Sequence, residues 1–192
     1  MNVNRERLHA EREGDFVVFL VGMRINRFRA VHRWLPVFLS APRMVREQEA
    51  DPVGLLESRS MMVSPREFQF VQYWESFEAL RDYAREGEEH RSMWSRFNGE
   101  LADGAVGIWH ETYLVRQDEY ETVYRNMPPT GLGAAAGTDH VPASGQRETA
   151  GGRLGVTDGS DAPVAPDGGA VTADAGPGAA DGSVATDGGD RR

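Results

Sequence analysis

Polar and apolar residues alternate along positions 106–115, and this alternation predicts a strand whose two faces differ chemically. One face carries Val106, Ile108, His110, Thr112 and Leu114, and the other carries Gly107, Trp109, Glu111, Tyr113 and Val115. An imidazole on a mostly buried face needs a hydrogen-bonding partner or a chemical role. His110 and Thr112 are therefore candidate site residues, and the structural alternative is a buried neutral histidine bonded to a backbone carbonyl.

The remaining pattern predicts the order strand, helix, strand, strand, helix, strand. The apolar run 16–23 is typical of a central strand that is covered on both faces. Helical spacing follows at 31–39 and 44–49, and Pro36 and Pro42 are expected to interrupt or restart the helix. The further elements are strands at 55–63 and 67–75 joined by a turn at 64–66, helices at 77–86 (with Ser76 as N-cap) and 88–101, and a short strand at 120–125.

This order is the split βαβ pattern of a ferredoxin-like α+β sandwich, an antiparallel sheet with helices on one face. The bare face of such a sheet needs a cover, and the simplest cover is an identical sheet related by a twofold axis. We therefore expect a homodimer that forms a dimeric α/β barrel. The expected boundaries are a charged N-terminal segment at 1–14, the folded domain at 15–135 and a disordered acidic tail at 136–192, rich in Gly, Ala and Asp.

Composition narrows the classes of function. The 192 residues include 21 basic residues, all of them arginine, against 30 acidic ones, and the net charge of −9 argues against a nucleic-acid partner. An acidic chain without lysine fits a halophilic protein, or a protein encoded by a GC-rich genome. The absence of cysteine excludes disulfides, thiolate nucleophiles and Cys-ligated zinc. No signal peptide or membrane span is predicted, so we expect a cytoplasmic protein without a membrane partner.

Two further groups of polar residues are candidates for a small-molecule site. His90, Trp94 and Asn98 share one stripe of the predicted helix 88–101, which is typical of a pocket wall. The alternative is that His90 is solvated and that Asn98 helps to end the helix. Arg24 and Asn26 end the first strand, where arginine could hold an anionic oxygen or pair with an acid such as Glu75. No metal-binding motif is found.

Several segments resemble the DUF4188 family, which is also called monooxygenase-like. They are residues 21–26, 34–36, 42–44, 72–77, 90–94, 96–98, 106–113 and 124–133, and the last two are the most specific. The resemblance implies a dimeric α/β barrel and a cofactor-independent oxygenase acting on a small aromatic or polyketide-like molecule. It also implies that Arg24, Asn26, Trp94, Asn98 and His110 orient the substrate and stabilise an enolate or phenolate.

Three hypotheses for the function follow. In the first, a monooxygenase-like enzyme uses His110 as base and Arg24 with Asn98 to stabilise the anion, while Asn26, Trp94, His90 and Thr112 bind substrate, without a cofactor. In the second, the chain is a non-catalytic, small-molecule-binding dimer. In the third, it is a haem-dependent enzyme on the same fold, because related barrels bind haem through a histidine, here His90 or His110.

Overall fold

The computed structural model describes residues 3–50, 53–86, 91, 95 and 103–156. The strands are β1 (Leu8–Arg12), β2 (Phe16–Ile25), β3 (Leu55–Ser64), β4 (Glu67–Trp74), β5 (Val106–Val115) and β6 (Thr138–Pro142). The helices are α1 (Val31–Ala50), α2 (Phe77–Glu86) and a short helix at Ala150–Arg153, with 3₁₀ turns at Gly131–Ala134 and Gly145–Arg147. None of the helices in these ranges is long and apolar enough to cross a membrane.

Four of the strands form one antiparallel sheet in the order β3-β4-β2-β5. Its register places Val21 opposite His110 on one side and opposite Phe70 on the other. Since side chains alternate between the faces of a strand, these three residues share one face. The fold is therefore the predicted ferredoxin-like α+β sandwich, and strand β5 has the two faces that its alternation predicts.

Both long helices pack on the face that carries His110, which we call the helix face. At one end of this face, Met23, Ile25 and Val106 pack with Val37 of α1. At the other end, Val17 and Trp74 pack with Leu80 of α2. The tyrosine hydroxyl of Tyr83 on α2 donates a hydrogen bond of 3.3 Å to Glu47 of α1, which joins the helices.

Helix α1 is continuous, so the prediction of two helices broken by proline is wrong. Pro36 and Pro42 both lie inside it. An interior proline removes one backbone hydrogen bond and costs about 3 kcal/mol in an isolated helix. Trp34, Val37 and Phe38 pack against the sheet around Pro36, and this burial offsets part of that cost. Helix α2 has its predicted bounds, and Ser76 accepts the capping hydrogen bond from Ala79 N–H at 3.1 Å.

The opposite face of the sheet is partly covered by the chain after β5, residues 116–156, which we call the strap. Strand β6 of the strap pairs with β1, and the pair forms a second, two-stranded antiparallel sheet. Leu132 and Ala135 of the strap pack with Ala10 and Phe16. We call the whole opposite face of the sheet the strap face. Its end beside Phe16 is therefore covered within one chain.

The strap corrects three sequence predictions. The boundary at residue 135 is too early, because β6 and the short helix lie beyond it, and the segment 1–14 contains β1. The predicted strand at 120–125 is wrong, since only Tyr124 there makes an isolated bridge, to Leu8. Strands β1 and β6 were not predicted because they are short and polar and pair over a long sequence separation. Residues 157–192 lie outside the described residues.

Candidate functional site

His110 lies at the middle of the helix face, between the cluster under α1 and the cluster under α2. Its ring centroid is 5.7 Å from that of Phe19 on the neighbouring strand. Thr112 lies directly opposite Phe19 in the register and shares the face. Leu114 follows on the same face and is 70% exposed. Between the described helices, Phe19, Val21, His110 and Thr112 therefore form an apolar strip that carries one imidazole and one hydroxyl.

The expectation that this face of β5 is mostly buried is wrong for its second half. Val106 is buried, but His110, Thr112 and Leu114 are exposed. The cause is that β5 is an edge strand, while α1 and α2 pack over the centre and the far side of the sheet. The imidazole of His110 is therefore accessible to a ligand rather than sealed in a core.

A buried amide, which the sequence analysis did not single out, lies beside this strip. Gln72 is 4% exposed and follows Phe70 on the helix face. Its amide donates to Ser58 Oγ at 3.3 Å and accepts the indole N–H of Trp74 at 3.2 Å. The signal was present, because glutamine interrupts an otherwise aromatic stripe at 68, 70, 72 and 74. Gln72 supplies polarity to the floor of the strip.

Arg24 lies on the strap face and not beside His110. It pairs in the register with Gly107, one residue out of phase with the face of His110. Its guanidinium is 3.8 Å from Glu67, and the side chain is 61% exposed. The ion-pair alternative for Arg24 therefore has a partner in Glu67 rather than Glu75. Within one chain the sheet separates Arg24 from the imidazole of His110.

Asn26 follows β2 and ties its end to the start of β5. Its side-chain amide donates to the carbonyl of Gly104 at 3.2 Å, and its backbone N–H donates to Ala105 at 2.9 Å. This geometry fixes the loop that leads into β5. Asn26 is exposed at this edge of the fold, away from the central strip.

His90, Trp94 and Asn98 lie outside the described residues, so their predicted role stays a prediction. Arg91 and Ser95 of the same segment are helical and exposed. The segment 87–102 joins the end of α2 to the start of β5, the strand that carries His110.

The strap face carries a different set of aromatic contacts. The indole of Trp109 lies over Gly22, where a Cβ would come within 2.6 Å of the indole nitrogen. Its N–H is buried without a hydrogen-bond partner among the described residues. Tyr113 donates to Glu111 at 2.6 Å, and this hydrogen bond raises the pKa of Tyr113. Within the described ranges, no group of three metal-ligating side chains converges.

Comparison with known proteins identifies the family of the chain. Residues 16–132 match the family model described as monooxygenase af470-like. The chain belongs to this family. Monooxygenase af470 of Aspergillus fumigatus is 28% identical over 138 residues, which are 63% of this chain and 46% of that protein. The chain thus spans about half the length of this curated relative.

Solved structures share the fold at low sequence identity. Aldoxime dehydratase (OxdRE), solved with butyraldoxime, superposes with a TM-score of 0.56 and 16% identity, covering 69% of this chain and 40% of its own. SnoaB, a cofactor-independent oxygenase from Streptomyces nogalater, gives a TM-score of 0.38 and 16% identity, covering 54% of this chain and 95% of its own. At these identities the likeness of the dehydratase shows the fold alone.

Proposed function

We propose that this chain is a cofactor-independent oxygenase that acts on a small aromatic or polyketide-like molecule bound on the helix face. The observation that carries the proposal is the accessible imidazole of His110 in an apolar strip. Phe19 and Val21 offer a flat apolar floor for an aromatic ring, and membership of a monooxygenase-like family supports the reaction type.

In the proposed reaction His110 acts as general base. Its neutral imidazole takes a proton from an acidic C–H or O–H of the substrate, and the resulting carbanion or phenolate supplies electrons to O₂. A new C–O bond forms, and the imidazolium returns its proton to the peroxide. Loss of water then leaves one oxygen atom in the product as a carbonyl group. Conversion of a CH₂ group to a carbonyl group releases two hydrogens and four electrons. These reduce O₂ to the carbonyl oxygen and one molecule of water.

The developing anion needs hydrogen-bond donors. Thr112 is two residues along β5 on the same face, so its hydroxyl lies about 7 Å from the imidazole and can contact the same ligand. Gln72 is buried and its amide already bonds Ser58 and Trp74, so it supports the floor of the strip rather than the anion. Asn98 keeps its predicted role as a further donor. Arg24 does not reach this site, because its own sheet stands between its guanidinium and the imidazole.

Oxygen uptake tests the proposal directly. Wild-type protein and His110→Ala are supplied with a panel of phenols and 1,3-diketones in an oxygen electrode. Removal of a general base is expected to lower uptake about 10²- to 10⁴-fold. His140→Ala is the matched control, because His140 lies on β6 of the strap. Equal rates for wild type and His110→Ala would contradict the base role.

A haem-dependent enzyme is the second candidate, because the fold presents an accessible histidine. His110 would hold haem through its accessible imidazole, which lies beside an apolar aromatic surface. When bound, haem would supply redox chemistry at its iron. Hemin titration of wild type and His110→Ala separates the candidates, because a Soret shift lost in the variant favours haem and a flat titration excludes it.

We also propose that a second copy of the chain covers the rest of the strap face. Trp109, Gly22 and Leu20 lie beyond the strap on this face, where a second sheet would cover them. Native mass spectrometry at high salt tests this. A dimer that Trp109→Ala dissociates supports the proposal, and a monomeric wild type contradicts it. A dimer that binds small molecules without turnover would instead indicate the non-catalytic binding module.

A further inference from the structure

Arginine side chains gather at the end of the sheet where β2 ends and α1 begins. We define the arginine end as Arg24, Arg27, Arg29, Arg33 and Arg66. Backbone hydrogen bonds hold the contributing segments together. Ile25 N–H donates to the carbonyl of Arg66 at 2.7 Å, and Arg27 N–H donates to that of Ala105 at 3.2 Å.

Carboxylates of the described residues pair with several of these guanidinium groups. Glu67 lies 3.8 Å from Arg24, and Asp103 lies 3.6 Å from Arg27 and 3.9 Å from Arg33. The backbone N–H of Ala105, followed by these arginines, holds the pKa of Asp103 below its usual value. In the described part of the chain, arginines therefore outnumber carboxylates at this end of a protein whose net charge is −9.

The arginine end also has a flat apolar shelf. Phe28 is 50% exposed, and the guanidinium of Arg66 lies 5.8 Å from its ring centroid. The ring of Trp34 lies 5.7 Å from that of Phe28. Arginines around an exposed aromatic ring suit an extended acidic chain with small residues between its carboxylates.

The chain itself contains such a segment. Residues 157–192 carry seven aspartates and two arginines among Gly, Ala, Val, Pro, Ser and Thr. We propose that this acidic tail binds the arginine end of its own chain. The aspartates recur every six or seven residues over much of the tail, so several of them meet the arginines at once while the small residues cross the shelf.

The reach of the tail matches the distance it must cover. The strap ends beside the short helix, where Arg153 bonds Glu121 at 2.8 Å and Arg147 bonds Glu11 at 2.5 Å. Glu11 precedes the start of β2, so the arginine end lies one strand length away, about 33 Å for ten residues. Asp181 lies 25 residues beyond residue 156, and a Gly-rich chain of this length has a root-mean-square span of about 28 Å. Tethering therefore raises the effective concentration of the tail's carboxylates near the arginines. This strengthens binding through ion pairs that are individually weak and screened by salt.

Paramagnetic relaxation tests the proposal on the full chain. Because the protein has no cysteine, Ser183→Cys places a single nitroxide in the tail. Amide signals of residues 26–29 and 66 are expected to lose about half of their intensity at 10 mM salt, where the Debye length is about 30 Å, and to recover at 1 M. A tail that merely diffuses around its attachment would instead broaden signals near the short helix.

Two variants and a control complete the test. Arg27, Arg29 and Arg66 changed to Gln should abolish the broadening, and so should Asp167, Asp174 and Asp181 changed to Asn. The matched control changes Arg5, Arg85 and Arg116 to Gln, with the same loss of charge at exposed positions elsewhere. Broadening that is absent at low salt, that the control abolishes equally, or that grows with protein concentration would overturn the proposal.

Discussion

Replacement of Gln72 by leucine tests the polar network under the helix-face strip. Gln72 is 4% exposed, and it accepts the indole N–H of Trp74, a residue that is 1% exposed. Leucine has nearly the volume of glutamine, so no large cavity forms. The indole N–H is left buried without an acceptor, which costs about 1–3 kcal/mol. We therefore expect the free energy of unfolding to fall by about 2 kcal/mol in urea melts.

A double-mutant cycle isolates this hydrogen bond. Trp74→Phe removes the donor, so Gln72→Leu should cost less in that background, with a coupling energy of about 1 kcal/mol. Gln69→Leu is the matched control, because Gln69 lies on the same strand but on the strap face, opposite Gly22. The reasoning is refuted if Gln72→Leu costs no more than Gln69→Leu, or if the effects of the two changes in the cycle simply add.

Three further changes probe the strap face and the strap. Gly22→Ala puts a methyl group 2.6 Å from the indole nitrogen of Trp109. It should lower the free energy of unfolding by about 1–3 kcal/mol in urea melts, and Trp109→Leu should restore it. A loss that Trp109→Leu does not restore would contradict this contact. Burial raises the pKa of Tyr73, so the stability it contributes is present below its unfolded pKa of about 10 and is lost as pH rises through the folded value. Urea melts from pH 8 to 11 should show a shallower loss in Tyr73→Phe, and an unchanged slope would count against this cause. Arg153, with a side chain 2% exposed, bonds Glu121 and the carbonyls of residues 147 and 148. Arg153→Met should therefore destabilise the strap by about 2 kcal/mol in hydrogen exchange, and unchanged protection of 138–153 would disprove the anchoring role.

The main sheet was predictable because its signals are local. The alternation at 106–115 placed His110 and Trp109 on opposite faces, and the register confirms this. The continuous apolar run of β2 predicted cover on both faces, which the helices and the strap provide. Helix α2 was predicted to the residue, since Ser76 caps a clear helical pattern.

Tertiary contacts decided what the sequence did not predict. Pro36 and Pro42 predict helix breaks from the local sequence alone. The packing that keeps α1 continuous involves residues far apart in the chain, which the local sequence does not show. Strands β1 and β6 carry polar residues and pair across more than a hundred positions. The exposure of His110 follows from strand order, since only the sheet topology shows that β5 is an edge strand. The same topology separates Arg24 from His110.

The central claim, that ligands bind the helix face beside His110, is tested most directly by NMR of the five histidine rings. Protein labelled in its imidazoles is titrated with a phenol or 1,3-diketone that supports oxygen uptake. We predict that the ring signals of His110 shift with saturation, while those of His9, bonded to Thr122 under the strap, stay in place. A ligand that saturates the protein and leaves the His110 signals unmoved would contradict the account.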